Sequence, residues 1–381
     1  MNNNRIEAIV VGAGLNGLGV ARSLGRAGTK TTLLETDISQ ATARSRHVEA
    51  VQMNSLSGKE FIDDLIALRG MFVEPPVLIL TQEATVLTVS QWRNLLDEKF
   101  LYLLPSRDVI STLTTKHGFE FCAKQAGFPI PKTYTLNRPE DLEDIPNSSF
   151  PLILKPNERN YTYDRNFSKA YKVEVKKDLE ELYLRIMAQA PDVLIIVQEW
   201  IEGEDFDIYF CLQYRGIKEN SSISFCGRKI LSYPPKTGGT ASCTASEKQY
   251  WPELENLTAS FFEKHNVVGL CSMEYKRNRY TDEFVMIKPT IGRTDYQEYI
   301  STLYGYNLPA AQVMDLFGLR YDPTPCFAPM IWRDANAEAK SRIMGGKINP
   351  QPGKIVDALF SFDDPKPFAV DIWNRIRPKI S

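Results

Sequence analysis

Val193-Leu-Ile-Ile-Val-Gln-Glu-Trp-Ile-Glu-Gly-Glu-Asp205 opens as a run of branched apolar residues and stops in acids and a glycine. A buried strand that ends so abruptly offers free backbone groups near Gln198, Glu199, Trp200 and Ile201 to a purine edge, and Asp205 is in place to accept from ribose hydroxyls. An ordinary strand exit capped by acids has the same pattern, so the stretch needs support from its surroundings. Upstream, Pro151-Leu-Ile-Leu-Lys-Pro156 is a second apolar strand, and it ends in Lys155. A lysine there is costly to bury unless an anion meets it, which suits a phosphate. A lysine that reaches solvent past the strand end is the plainer alternative. Lys116 opens a helix expected over residues 116–127. Together these cations and acids suit a nucleoside triphosphate gripped between two sheets.

Towards the N-terminus, Gly12-Ala-Gly-Leu-Asn-Gly17 lies between a strand over residues 9–11 and a helix over 16–28, with Glu35 closing the next strand, 31–35. That placement fits a dinucleotide turn, where glycines permit close approach, the helix N-terminus attracts phosphate and the acid takes a ribose hydroxyl. A tight turn with no dinucleotide also favours glycine. Nothing downstream supplies a hydride-transfer site, because the three histidines (His47, His117 and His265) lack a catalytic context. Further strands expected at 76–80 and 101–105, alternating with helices, argue for an α/β protein with a largely parallel sheet. Pro129 and Pro131 then end a helix and begin a smaller unit: a strand at 152–155, a polar loop at 157–169, a helix near 178–190 and the strand at 193–200. The Pro- and Trp-rich end of the chain reads as a wrapping tail.

Composition narrows the function. The 381 residues suit two or three domains. Lys plus Arg total 45 against 47 Asp plus Glu, a formal charge of −2, which is not the basic excess of a nucleic-acid binder. No apolar run reaches the roughly 18 residues of a membrane span, and polar residues 1–5 lead straight into a strand with no secretory signal. Cys122, Cys211, Cys226, Cys243, Cys271 and Cys326 have no metal-site spacing and read as buried thiols in a reducing cytoplasm. No G-x-S-x-G or H-E-x-x-H supports hydrolase or zinc chemistry.

Read in order, the motifs resemble the ATP-grasp superfamily. They are Gly-Leu-Gly-Val-Ala-Arg-Ser-Leu-Gly-Arg-Ala-Gly at 17–28, Lys116 before Ala-Gly-Phe-Pro-Ile-Pro, Ile-Leu-Lys-Pro at 153–156 and Gln-Glu-Trp-Ile-Glu-Gly at 198–203. Gly-Arg-Lys follows at 227–229, then Tyr-Pro-Pro-Lys-Thr-Gly-Gly-Thr-Ala at 233–241, Met-Glu-Tyr-Lys at 273–276 and Pro-Thr-Ile-Gly-Arg-Thr-Asp at 289–295. The branch they resemble is that of ATP-dependent carboxylate-amine ligases that includes D-aspartate ligase, within the fold of D-alanine-D-alanine ligase and biotin carboxylase.

The resemblance implies an α/β ATP-grasp fold in three parts: a Rossmann-like N-terminal domain (1–110), a small α+β lid with its linking helix (111–204) and a larger C-terminal α+β domain with the metal site and tail (205–381). It implies ATP and Mg²⁺ as cofactors, small carboxylate and amine substrates, and an acylphosphate route to an amide; a homodimer is common in the fold. Lys116 and Lys155 fall where phosphates are held, Gln198 to Ile201 where adenine is framed, and Asp205, with Glu204 competing, where ribose is bound. Arg228 and Lys229 fall over the transferring phosphoryl group, and Arg293 beside an acylphosphate or substrate carboxylate. Gly14, Asn16, Lys236, Gly238 and Gly239 face substrate. The family's phosphate cover, often glycine-rich, has no glycine here and carries Arg159, Arg165 and Lys169, so either side chains and not a backbone nest touch phosphate, or the segment is a plain solvated basic loop.

One departure matters for the chemistry. Glu274 stands as the first magnesium acid, but Lys288 and Thr290 replace the second glutamate and its asparagine. An ammonium cannot ligate Mg²⁺. Either Lys288 pairs with phosphate in place of one metal, or Asp295 or Glu298 supplies the oxygen, or the chain binds nucleotide without turnover. A nicotinamide-dependent oxidoreductase, resting on the first glycine turn, is a third function.

Overall fold

The computed structural model describes residues 6–157, 160–217 and 221–376. Three sheets organise them, and only the first is parallel. It runs β3 (Glu49–Gln52), β2 (Lys30–Glu35), β1 (Glu7–Val11), β4 (Val77–Leu80). Val10, Leu33 and Ile79 are fully buried on one face and Ile9, Leu34 and Leu78 on the other, as a sheet covered on both sides requires. The stretch expected as a strand at 101–105 is an extended connection: Leu101 alone bridges to Val77, and Pro105 has no N–H to continue a ladder.

The turn after β1 is fixed by its own residues. Gly12 has φ +94°, and a Cβ there would stand 2.5 Å from Thr81 Oγ1; one on Gly17 would stand 2.1 Å from the Gly12 carbonyl. Glu35 accepts from the Ala13 and Thr36 amides, each at 2.7 Å. Both oxygens of the acid expected to hold a dinucleotide ribose are therefore engaged by backbone amides, one in this turn and one just past β2. Helix Gly14–Arg26 follows, burying Leu18, Val20, Ala21 and Leu24 against the sheet.

The second sheet runs β5 (Thr133–Leu136), β8 (Ile195–Glu199), β6 (Leu152–Pro156), β7 (Tyr171–Val173), all antiparallel. With helix Lys176–Gln189 it closes on its own apolar cluster, which includes Leu152, Leu154, Leu179, Ile186 and Val197.

The third and largest sheet runs β13 (Phe284–Ile291), β12 (Gly269–Arg277), β9 (Ile208–Arg215), β10 (Ile223–Tyr233), β11 (Gly239–Ala245), β14 (Met330–Arg333), β15 (Lys354–Asp357). Every pairing is antiparallel except β14 with β15. The end of the chain does more than wrap, since it adds these last two strands and then returns to the N-terminal unit. There Arg22 and Asp364 form an ion pair at 3.0 Å, with both side chains at most 1% exposed. Four cysteines are buried as expected, but Cys122 is half-buried and Cys326 is exposed. No described helix is long and apolar enough to cross a membrane.

Candidate functional site

Strand alternation decides which cations meet. Side chains two residues apart on a strand share a face, so β12 presents Glu274 and Lys276 to the same side. On β10, Lys229 faces Glu274, with Nζ 2.8 Å from Oε2 and the lysine 2% exposed. Lys229 also donates to the Gly238 carbonyl at 3.3 Å. Its neighbour Arg228 must point to the other face, where it pairs with Glu247 and lies 5.4 Å over the Tyr209 ring. The sequence expectation that Arg228 joins Lys229 over the phosphoryl group is thereby corrected. Lys288 is the register partner of Glu274 across β13. Burial alone would raise the Glu274 carboxyl; the charge and hydrogen bond of Lys229, with Lys288 and Lys169 beyond it, outweigh burial and hold it below its ordinary value.

The second sheet, in the segment expected as the lid, faces this surface. Lys155, at the end of β6, donates to Gln198 Oε1 at 2.6 Å, and Gln198 in turn donates to Thr133 Oγ1 at 2.8 Å. Burial, with the neighbouring ammonium of Lys116 next, pulls the Lys155 amine down to about 7 against the opposing pull of Glu120. Lys116 begins the helix Lys116–Gln125, whose first turn is capped by the Thr115 hydroxyl accepting from the Gly118 amide; the Lys116 ammonium donates to the Pro156 carbonyl. The exit of β8 at 198–201, expected as the hinge that frames adenine, is tied to the segment before β5 by Glu199, whose amide donates to Lys132 O at 2.8 Å and whose carboxylate accepts from Lys132 N at 3.2 Å.

Between lid and sheet lies a cavity of about 220 Å³. Gln198, Glu199, Trp200 and Ile201 line it, as do Lys116, Lys155, Lys169, Lys229, Lys236 and Lys288, with Gly238 and Glu274. A seventh lysine, Lys276, also lines it, although sequence reasoning gave it no role. Its signal was available: it stands two residues from Glu274 on an apolar strand. Burial pushes Lys276 down to about 8, against the pull of Asp207 and Asp205. Seven lysines thus meet two carboxylates, Glu199 and Glu274, around one small space whose remaining wall is largely apolar, with Phe119, Ile153, Ile208 and Ile287.

Other expected site residues lie elsewhere. Asp205 does not line the cavity. It is 3% exposed, and its carboxylate accepts from the Ser232 amide at 2.8 Å and the Lys236 amide at 2.7 Å. It therefore braces the turn that carries Lys236, whose φ is +67°, and Gly238. Asn16 is also committed: its amide donates to the carbonyls of Thr81 and Thr294, each at 3.1 Å, and accepts from the Thr294 hydroxyl at 2.8 Å. Gly14, Gly239 and Arg293 are not in the lining; Arg293 donates to the Thr294 carbonyl at 3.0 Å. Of the expected basic cover, Lys169 reaches the cavity, Arg165 sits in the short helix Tyr161–Asn166 away from it, and Arg159 falls outside the described residues.

The carboxylates are few for a metal. Among the described residues no three His, Cys, Asp or Glu side chains converge. Asp295 accepts from Ser272 Oγ at 2.8 Å, while burial raises Glu298 to about 8; neither lines the cavity. The described residues do not make a closed magnesium site, and of the three acids weighed for a metal, Glu274, Asp295 and Glu298, Glu274 alone lines the cavity.

No family profile matches the chain, and no curated protein does either. Solved structures do resemble it. An N5-carboxyaminoimidazole ribonucleotide synthetase in complex with ADP superposes with a TM-score of 0.67 over 97% of each chain, at 13% identity. The Staphylococcus aureus N5-carboxyaminoimidazole synthetase gives 0.65 over 86% of this chain and 81% of its own, at 14% identity. The Campylobacter jejuni biotin carboxylase gives 0.63 over 84% and 73%, also at 14%. What is shared at such identities is the architecture, and with the lid, the cleft and the lysine-lined floor already in view, the chain has the ATP-grasp fold.

Proposed function

We propose that the protein is an ATP-dependent ligase that joins a small carboxylate to an amine through an acylphosphate, with Mg²⁺ as the nucleotide's counter-ion. The observation that carries this reading is the convergence of seven lysines from lid and sheet on one cavity beside Glu274. So many ammonium groups facing one another are costly unless a polyanion occupies the space between them. The apolar remainder of the wall suits a purine, and the complexes with ADP among similarly folded proteins support the same reading.

The chain's residues then have definable tasks. Lys116, Lys155 and Lys169 neutralise phosphate oxygens from the lid side, and Lys229 and Lys288 from the sheet. A substrate carboxylate oxygen attacks the terminal phosphorus, ADP leaves, and the amine nitrogen then displaces phosphate from the acyl carbon and loses a proton. Positioning and charge neutralisation dominate such transfers. The acylphosphate must be kept from water, a task for the lid, whose separate core lets it move as a unit. Magnesium, when bound, supplies further neutralisation of the phosphates; Lys288 replaces part of that charge. Arg293, Gly14 and the turn at 233–241 are proposed to face the substrates, and the resemblance to the D-aspartate ligase branch belongs to the same proposal.

The test is a screen for phosphate release from Mg²⁺-ATP across amino acids and small carboxylic acids. Release that depends on one carboxylate and one amine together supports the ligase. A second reading, nucleotide binding without turnover, is favoured by Lys288 opposite Glu274; tight ATP binding with no ADP under any mixture would establish it. No ATP binding at all would overturn both.

A further inference from the structure

Of the lysines that line the cleft, Lys276 alone has no task in the reading above. It stands two residues from Glu274 on β12, so the two side chains leave the same face about 7 Å apart along the strand. Its ammonium donates to the Glu204 carbonyl at 2.6 Å, just past the hinge, and its stem packs at Gly203, where a Cβ would stand 3.0 Å from Lys276 Cε. Its register partner on β9 is Ile208, itself part of the wall. Lys276 therefore occupies the stretch between the hinge end of the cleft and Glu274, where the sugar of a nucleotide spanning the two must lie.

The acids expected to meet that sugar are turned away. Both Asp205 oxygens accept from backbone amides, and the Glu204 carboxylate faces Lys347 at 2.8 Å and Lys236 at 3.6 Å. An ammonium has three donors. Lys276 uses one on Glu204, and its side chain belongs to the cavity wall.

We infer that Lys276 is a sugar-specificity residue: its ammonium donates to a ribose hydroxyl oxygen of the bound nucleotide, and that hydroxyl donates in turn to the Glu204 carbonyl that the lysine now holds. The inference rests on the nucleotide reading, and it adds that the cleft distinguishes ribonucleotides from deoxyribonucleotides through a lysine and not through an acid. A site built to hydrogen-bond a hydroxyl rejects the analogue that lacks it, because its own polar groups are left unpaired.

The experiment is calorimetric titration of the full chain with ATP, 2′-deoxy-ATP and 3′-deoxy-ATP, repeated with Lys276→Met and Lys276→Arg after thermal melts confirm that each is folded. The wild-type chain should prefer ATP over at least one deoxy analogue by about tenfold, the scale of a hydrogen bond to a charged group. Lys276→Met should bring that ratio close to one, and Lys276→Arg, which keeps a donor, should restore part of it. An unchanged ratio in Lys276→Met, or an equal loss for all three nucleotides as a charge felt only by phosphates would give, overturns the inference and leaves the nucleotide reading intact. Failure of the wild-type chain to bind any of the three overturns the nucleotide reading itself.

Discussion

Burial and the ammonium of Lys116 both work against the charge of Lys155, leaving its amine at about 7. A bound phosphate favours the charged form and raises that value. Between about 7 and the ordinary lysine value of 10.5, the empty site is neutral and the occupied site charged, so binding takes up a proton. Nucleotide affinity should therefore fall as pH rises above 7, by up to about tenfold per unit for one linked proton. Titrations at pH 8 in buffers of different ionisation enthalpy should show the uptake, and Lys155→Met should abolish most of it. Lys288 invites a second substitution. Lys288→Glu sets a carboxylate opposite Glu274 and removes a phosphate partner, so ATP turnover should drop at least about tenfold, one charge-assisted contact; turnover that first appears in this variant would mean the natural chain is impaired. At this scale the sequence was legible where a cation ends an apolar strand, as at Lys155. It misled at Arg228, because adjacent strand residues face opposite ways and a motif written in a line hides that.

Elements were harder to read than residues. The hinge strand and the lid's apolar strands declared themselves through β-branched runs, and three of the four parallel strands did so through runs buried on both faces. The strand at Glu49–Gln52 did not, being short and half-buried on the sheet edge. Met330–Arg333 and Lys354–Asp357 escaped for the same reason: four residues are too few to carry a periodicity, and they become strands only because the first pairs with β11 and the second with the first. Asp205 shows how an element can claim a residue that composition assigns to a ligand. Its two amide contacts hold the 233–239 turn over the cleft, so Asp205→Ala should cost about 1–3 kcal/mol of stability through the unpaired amides and weaken ATP binding by loosening Lys236 and Gly238. The preference for ATP over its deoxy analogues should stay as it is, which separates bracing from sugar contact. Denaturant melts and the same titrations measure both.

At the scale of the whole molecule, the return of the chain end to helix Gly14–Arg26 joins the seven-stranded sheet to the parallel one. Arg22 donates to Asp364 and to the carbonyls of Ala358 and Leu359, and Asp364 also accepts from Ser45 and the Arg46 amide. Removing one partner strands a buried charge. Arg22→Met should therefore lower the unfolding free energy by about 3–5 kcal/mol in chemical denaturation, with nucleotide affinity little changed because neither residue lines the cavity. No sequence pattern announces a contact between residues so distant along the chain.

The crowd of ammonium groups around so small a space has a practical corollary. Anions with no part in any reaction should lodge there, so purified protein will tend to arrive with whatever polyvalent anion the preparation offered, and phosphate buffer will compete in every assay. Tripolyphosphate should raise the melting temperature more than sodium chloride at equal ionic strength, since it binds the folded form while simple salt only screens. Heat tolerance in a panel of buffers thus becomes an inexpensive gauge of whether the cleft is filled before any substrate is known.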